Sequence, residues 1–280
     1  MIQEAEPVND ATFDGSVSVI MPAYNEARNI AGNLRETVET LSAMDCDFEV
    51  ILVDDGSSDL TYLQAAKTIA VSPTRLRVIR YDRNLGKGNA LMCGFSYARG
   101  EYIVFLDADM DLHPRQLPRF FQIMQERSAD AVVGSKFHRE SRVEYPAVRR
   151  MYSTVYYGLV RLLFGLPLKD TQTGIKLFKA ELLRRVFAKV LVKRFAFDIE
   201  VLANAHRLGY RIVDAPVTLT FSRKFGRVKM HDVIDVLKDT LAIFYRMHIL
   251  HYYDRQPVDL DPRTYGMPAV EITQTDLVGP

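Results

Sequence analysis

Two short runs, Val50 to Val53 and Tyr102 to Leu106, are apolar throughout. Each stops abruptly at carboxylates, Asp54-Asp55 in the first and Asp107-Ala108-Asp109-Met110-Asp111 in the second. A strand with no polar face must be covered on both sides, and sheets covered on both sides are those of α/β proteins. The neighbouring segments obey the same rule. Val17 to Met21 reads as a strand, after which Ile30, Leu34, Val38 and Leu41 recur at helical spacing. A polar helix around Leu60 to Ala70, a strand at Leu76 to Tyr81 and a helix opened by Gly86-Lys87-Gly88 complete the alternation. The expectation is a parallel, helix-covered sheet with at least four strands, whose ligands gather at the strands' carboxyl ends.

The acidic strand ends lie where such a ligand would sit. Carboxylates at alternate positions repel one another, so at the mouth of an apolar strand they imply a cation, a shared proton or a strongly polar ligand. The competing reading is a solvated acidic turn. Gly86-Lys87-Gly88-Asn89-Ala90-Leu91 fails two known phosphate loops, because Gly88 stands where a P-loop needs Ser or Thr and Leu91 where the dinucleotide fingerprint needs glycine. What remains is a glycine turn, a cation and a helix N-terminus, able to accept an anion through exposed backbone N–H groups. A helix-starting turn with a solvated lysine is the alternative.

The rest of the chain supplies boundaries. Its 280 residues, 48% hydrophobic, fit one large domain or a domain with appendages. With 36 Lys and Arg against 35 Asp and Glu, it lacks the field of a nucleic-acid binder. Cys46 and Cys93 match no metal or redox spacing, which predicts free thiols in a reducing, cytoplasmic compartment. The six histidines show no metal spacing either. No signal peptide is expected from the acidic Met1 to Gly15, and the apolar Val155 to Leu166 is short and carries Arg161, so membrane contact is expected to be peripheral. Residues 136 to 150, with Lys136, Arg139, Arg142, Arg149 and Arg150, predict a long, basic, mobile loop before a helix from about Arg149 to Phe164. Ile175 to Phe178 and Ile212 to Leu219 read as strands flanking a helix from Ile199 to Leu208. Ile234, Leu237, Leu241 and Phe244 mark a last amphipathic helix, and the proline-rich, acidic stretch from Asp254 predicts a disordered or loosely docked tail.

Taken in order, Met21-Pro22-Ala23-Tyr24-Asn25-Glu26, VDDGSSD from Val53, NLGKGNAL from Asn84 and FLDADMD from Phe105 resemble the inverting family 2 glycosyltransferases. Within that family, GSK from Gly134, DTQTGIKLF from Asp170 and FAFDIE from Phe195 resemble the dolichyl- and polyprenyl-phosphate glucosyl- and mannosyltransferases. The resemblance covers roughly residues 16 to 245. It implies the GT-A fold, a Rossmann-like, mostly parallel sheet with helices on both faces, here with a C-terminal amphipathic helix. The expected divisions are a flexible tail at 1–15, the GT-A domain at 16–228, the helix at 229–253 and the tail at 254–280.

The resemblance also implies roles. Pro22, Tyr24, Glu26, Val53, Asp55, Lys87, Asp107 and Ala108 are expected at the nucleotide. A tyrosine ring can pack on a base, and a carboxylate can accept from ribose hydroxyls. Asp109 and Asp111 are expected to hold Mg²⁺ or Mn²⁺, Asp111 standing where many mannosyl members have glutamine. Lys136 stands where the family often has arginine, so a point charge replaces a bidentate clamp. Lys136, Arg149, Arg150 and the cluster Arg223, Lys224, Arg227 and Lys229 are expected at the acceptor phosphate or closing over the donor. Asp170 and Asp198 are expected to be catalytic or positioning residues, although Asp198 and Glu200 are equally readable as carboxylates at a helix N-terminus.

The implied reaction is transfer of a hexose from a nucleotide sugar to a polyprenyl or dolichyl phosphate in a membrane, with no nucleic acid involved, at the cytoplasmic membrane face. Glucose from UDP-glucose is favoured, because aspartate opens DTQTGIKLF where mannosyl members more often have glutamine; GDP-mannose is the alternative. A family 2 enzyme acting on a glycan hydroxyl, and a catalytically silent nucleotide-sugar binder, are the competing classes.

Overall fold

The computed structural model describes residues 15–69, 75–143, 147–194, 196–219, 230–255 and 270–272. The first four strands are β1 (Ser16–Ala23), β2 (Asp47–Asp54), β3 (Leu76–Arg80) and β4 (Tyr102–Leu106). They pair in parallel in the order β3-β2-β1-β4. Their alternate side chains enter two separate cores. Ile20, Ile51, Val53 and Ile79 face one layer, and Val19, Met21, Leu52 and Val78 the other. Helices α1 (Ile30–Ser42) and α4 (Leu117–Glu126) cover the second face. Helices α3 (Lys87–Tyr97), α6 (Ala180–Phe187) and α7 (Phe197–Arg207) cover the first. A short helix α2 (Thr61–Ala66) follows β2. The stripe Ile30, Leu34, Val38 and Leu41 is buried, as its spacing requires.

Past β4 the sheet changes direction. β5 (Ala131–Ser135) does not pair with β4; β7 (Ile175–Lys179) runs antiparallel between them, and β8 (Ile212–Pro216) lies parallel to β5 on its other side. The strand expected over 212 to 219 breaks at Val217. Residues after Pro216 form β9 (Thr218–Leu219), which pairs with β6 (Arg142–Val143) in a separate small ribbon. The basic loop is therefore tethered, with Ser141 Oγ donating to the Ser135 carbonyl and accepting from Val217 N–H. Helix α5 (Ala147–Phe164) begins two residues before its predicted start, and α8 (Met230–Phe244) continues into a π turn over Tyr245–Ile249. The described part of the predicted loose tail is docked, since β10 (Val270–Ile272) adds antiparallel to β3 at the sheet edge. Among the described residues no helix is long and apolar enough to cross a membrane.

Because strands are added outward from β1 in both directions, the connection after β3 crosses back and opens a crevice above the carboxyl ends of β1, β2 and β4.

Candidate active site

That crevice is a cleft of about 560 Å³. Its lining includes Pro22, Tyr24, Glu26, Asp55, Lys87, Asp107, Ala108, Asp109 and Asp198, so eight of the ten residues expected at the nucleotide and metal meet in one place, together with one expected to be catalytic or positioning. Of the other two, Val53 is wholly buried, and its side chain packs in the core rather than facing the cleft. Asp111 lies two residues beyond Asp109 and donates its N–H to Asp109 Oδ1 at 3.2 Å.

The loops after β1 and β2 hold each other. Asn25 adopts a left-handed conformation (φ 56°), and its side-chain oxygen accepts from Ser58 N–H at 3.0 Å. Its own N–H donates to Ser57 Oγ, while Glu26 N–H donates to Thr61 Oγ1 at 2.7 Å. This leaves the Tyr24 ring 47% exposed at the rim, free to pack on a flat ligand. Asp55 lines the cleft, but its carboxylate already accepts from Tyr81 Oη, Asn84 Nδ2 and the N–H groups of Leu85 and Gly86. Its evident work is to hold the glycine turn before α3.

That turn corrects one expectation. The N–H groups of Gly88 and Asn89 at the start of α3 are not open to an anion, because both donate to the Lys193 carbonyl, at 2.9 and 3.3 Å. Glycine is required for this approach: a Cβ on Gly86 would stand 2.6 Å from that carbonyl oxygen, at a φ of 99°, and one on Gly88 would strike the Phe197 ring. The turn's contribution to the cleft is the Lys87 ammonium, 2.5 Å from Asp107 Oδ1. Partial burial disfavours that charge, but Asp107, Asp198 and Asp109 outweigh the penalty and raise its pKa.

After β4 the chain turns through Met110, again left-handed (φ 61°), with the Ala108 carbonyl held by Asn33 Nδ2 at 2.7 Å. Gly174 packs so closely on Asp107 that a Cβ there would stand 2.1 Å from Oδ2. Asp109 shows the repulsion expected of this run. Burial first, then the charges of Asp107 and Asp111, raise its pKa to about 6. No ready-made group of three metal-ligating side chains exists among the described residues. One or two carboxylates with open positions suit Mg²⁺ or Mn²⁺ shared with a substrate's phosphates, and a cation would relieve the crowding at Asp109.

The acceptor-side expectations fare differently. Asp170 is buried and closes its own turn, accepting from Thr173 Oγ1 and Gln172 N–H. Lys136 donates to it at 2.7 Å, so the lysine expected as a phosphate clamp is engaged in an ion pair. Burial opposes the Asp170 charge, but Lys136 and these hydrogen bonds hold its pKa below the usual carboxylate range. Asp198, in the first turn of α7, pairs at 2.8 Å with Lys176, a lysine 1% exposed and second in β7. Glu200 points away from the cleft, accepting N–H groups from Leu191 and Val192. The side chains of Arg149 and Arg150, and all of Arg223, Lys224, Arg227 and Lys229, lie outside the described residues.

Arg194 and Gln172 also line the cleft and were not foreseen, although each borders or lies within a quoted motif, FAFDIE and DTQTGIKLF. Lys176 was missed because a lysine inside an apolar run reads as an edge position.

The glycosyl transferase family 2 model matches residues 18–187, and the chain belongs to that family. Its sheet and crevice are those of the GT-A fold. It is 36% identical over 216 residues to glycosyltransferase AglD of Haloferax volcanii, covering 76% of this chain but 34% of that protein; the chain thus spans about a third of that relative. It is 29% identical over 258 residues to a dolichyl-phosphate beta-glucosyltransferase of Dictyostelium discoideum, covering 88% and 78% of the two chains. Among solved structures, glucosyl-3-phosphoglycerate synthase of Mycobacterium tuberculosis, crystallised with Mn²⁺, UDP-glucose and phosphoglyceric acid, superposes with a TM-score of 0.63. That match covers 83% of this chain and 79% of that one at 21% identity, and it speaks to the fold.

Asp109 generates a prediction with a definite sign. Its folded pKa of about 6 lies above the usual value of about 3.9, so the protonated form favours folding, and that contribution is lost as pH rises through 6. In metal-free protein at pH 8, Asp109→Asn should therefore raise the melting temperature by about 2–4 °C for each kcal/mol of repulsion relieved, with the gain vanishing near pH 4. The same variant should lose the stabilisation that Mn²⁺ with a nucleoside diphosphate gives the wild type. Melting curves across pH, with and without metal, check both.

Proposed function

We propose that this chain is an inverting hexosyltransferase that moves a sugar, glucose from UDP-glucose in the favoured case, from its nucleotide to the phosphate of a polyprenol or dolichol. GDP-mannose is the alternative donor. The observation that carries the reading is the charge arrangement of the cleft. Two cations, Lys87 and Arg194, and a metal-suited carboxylate, Asp109, line the cleft, while the buried carboxylates Asp170 and Asp198 are both tied to lysines.

Tyr24 would pack on the base, Glu26 would accept from the ribose, and Lys87 with Arg194 would orient the diphosphate. Asp109 and Asp111 would hold Mg²⁺ or Mn²⁺, which when bound neutralises the charge of the departing nucleoside diphosphate. The acceptor oxygen then attacks C1 on the face opposite the leaving group, giving inversion. A hydroxyl acceptor needs a base to take its proton. Asp170, whose pKa is held below the usual carboxylate range by Lys136, is a weak one, and Asp198 is already occupied by Lys176 at 2.8 Å. A phosphate monoester, with its second ionisation near about 6, brings its own anionic oxygen and needs none. The relatives named dolichyl-phosphate beta-glucosyltransferase support the same acceptor.

An acceptor with a lipid tail must be met at a membrane. Val155 and Leu162 on α5 and Ile234, Leu237 and Leu241 on α8 are exposed, as are Tyr245 and Ile249 just beyond. The two helices touch through the Tyr156–Thr240 hydrogen bond at 2.8 Å. We assign these apolar side chains to a lipid surface at the cytoplasmic face.

Two outcomes are expected. With saturating polyprenyl phosphate, Asp170→Asn and Asp198→Asn should each keep kcat within about tenfold, below the 10²–10⁴ expected for loss of a true base. Asp198→Asn frees the buried Lys176 at a cost of about 3–5 kcal/mol and Asp170→Asn the part-buried Lys136 at less, so both are assayed well below their lowered melting temperatures. The wild-type rate should rise with pH through about 6 and then level. A tenfold fall per pH unit in either variant, rescued at alkaline pH, would point to a hydroxyl acceptor. Separately, the protein should sediment with anionic liposomes at low salt, and Leu162→Asp with Leu241→Asp should abolish this; indifference of the wild type to such vesicles contradicts the lipid assignment.

A further inference from the structure

Glu200 is fully buried, yet no part of the reaction above uses it. Its carboxylate accepts from two directions. On one side lie the N–H groups of Leu191 and Val192, at 2.9 and 2.6 Å. On the other lie the Tyr253 hydroxyl and Arg246 Nη2, the latter at 3.4 Å, both from the segment that follows α8. Arg246 Nε also donates to the Tyr253 hydroxyl at 3.1 Å, and Lys189 Nζ to the Tyr253 carbonyl at 2.7 Å. Glu200 is thus the joint between the C-terminal segment and the stretch 189–194.

That stretch leads to the cleft, whose lining it joins at Arg194. One residue past Val192, the Lys193 carbonyl takes the Gly88 N–H and shares that of Asn89 with the Gly86 carbonyl, and the next residue, Arg194, lines the cleft itself. The Gly86-Lys87-Gly88 turn has no slack against it, since Cβ atoms on either glycine would collide with Lys193 or Phe197. A shift at residues 191–192 therefore moves the turn that carries Lys87.

We propose that Glu200 is a positioning residue for the donor cleft, joining the Arg246–Tyr253 segment to the turn that carries Lys87 and to Arg194. The inference rests on the reading of the cleft as a nucleotide-sugar site. It means that α8, whose outer face is assigned to lipid, is wired to donor binding: a displacement of the Arg246–Tyr253 segment reaches Lys87 through one carboxylate and one carbonyl.

The test uses the full chain, with UDP and GDP, each with Mn²⁺, as probes in calorimetric titrations. Tyr253→Phe keeps the ring and removes one donor to Glu200; Glu200→Gln keeps the shape but, with its amide oxygen on the Leu191 and Val192 N–H groups, turns an NH2 toward the Arg246 and Tyr253 donors. Each should weaken binding of whichever nucleotide the wild type takes by about tenfold, the scale of a hydrogen bond to a charged group. Each should also speed amide exchange at Gly88 and Asn89 by about tenfold. Asp130→Asn is the control. It removes the charge paired with Lys179 and one of the two acceptors for Lys179 and the Arg211 N–H at the opposite end of the sheet, and it should lower stability without changing affinity. If Glu200→Gln does not fold, Tyr253→Phe and Arg246→Lys carry the test. Variants that melt earlier but bind nucleotide as the wild type does, with unchanged exchange at Gly88 and Asn89, overturn the positioning role alone. A wild type that binds neither nucleotide overturns the donor reading and this inference with it.

Discussion

Asp55, Asp107, Asp109 and Asp198 converge at one end of a sheet whose interior is apolar, and the arrangement around them answers their mutual repulsion. Each carboxylate is met in a different way. Asp55 is held by hydrogen bonds with the Arg194 charge nearby, Asp107 by the Lys87 ammonium, and Asp198 by Lys176 buried beneath the cleft. Asp109 has the least compensation and the clearest sign of strain, a carboxyl whose pKa is raised to about 6 by burial and by like charges on either side. A chain that needed only to fold would relieve this cheaply by substitution. A site that must receive a cation with a diphosphate has a use for it.

The neutralising groups come from distant parts of the chain, so the site and the fold are hard to separate. Lys87 opens α3, Lys176 lies on the antiparallel strand β7, and the turn bearing Lys87 is clamped by a carbonyl from residue 193. Burial pushes Lys176 toward its neutral form and neighbouring Lys87 adds to that push, while Asp198 opposes it. The pair is held together by its setting rather than by the intrinsic preference of either group.

The parallel half of the fold was legible because its strands have no polar face and end in carboxylates, and because Ile30, Leu34, Val38 and Leu41 leave one reading for α1. The nucleotide side of the cleft was legible for the same reason: strand ends carry ligands, and the motifs mark strand ends. The antiparallel insertion of β7 was not, since an apolar run reads alike in either direction and its pairing with β4 is decided by residues 69 to 77 positions away. Nor was the docking of β10, whose short run sits in a stretch of tail-like composition. The blocked N-terminus of α3 was invisible for a different reason. The acceptor is a backbone carbonyl, and a carbonyl leaves no signature in the sequence. Lys136 and Asp170 could each be named, but that they would satisfy one another depends on the turn that brings residues 34 apart together.

The central claim is that a cation joins a nucleoside diphosphate at the end of β4, and the most direct measurement is an anomalous difference map from a crystal grown with Mn²⁺ and UDP or GDP. The account predicts one strong peak about 2 Å from a carboxylate oxygen of Asp109 or Asp111, shared with the diphosphate, with the nucleoside extending toward Tyr24. A nucleotide bound in the cleft with no metal at Asp109 or Asp111, or a metal held entirely by residues elsewhere, would contradict it.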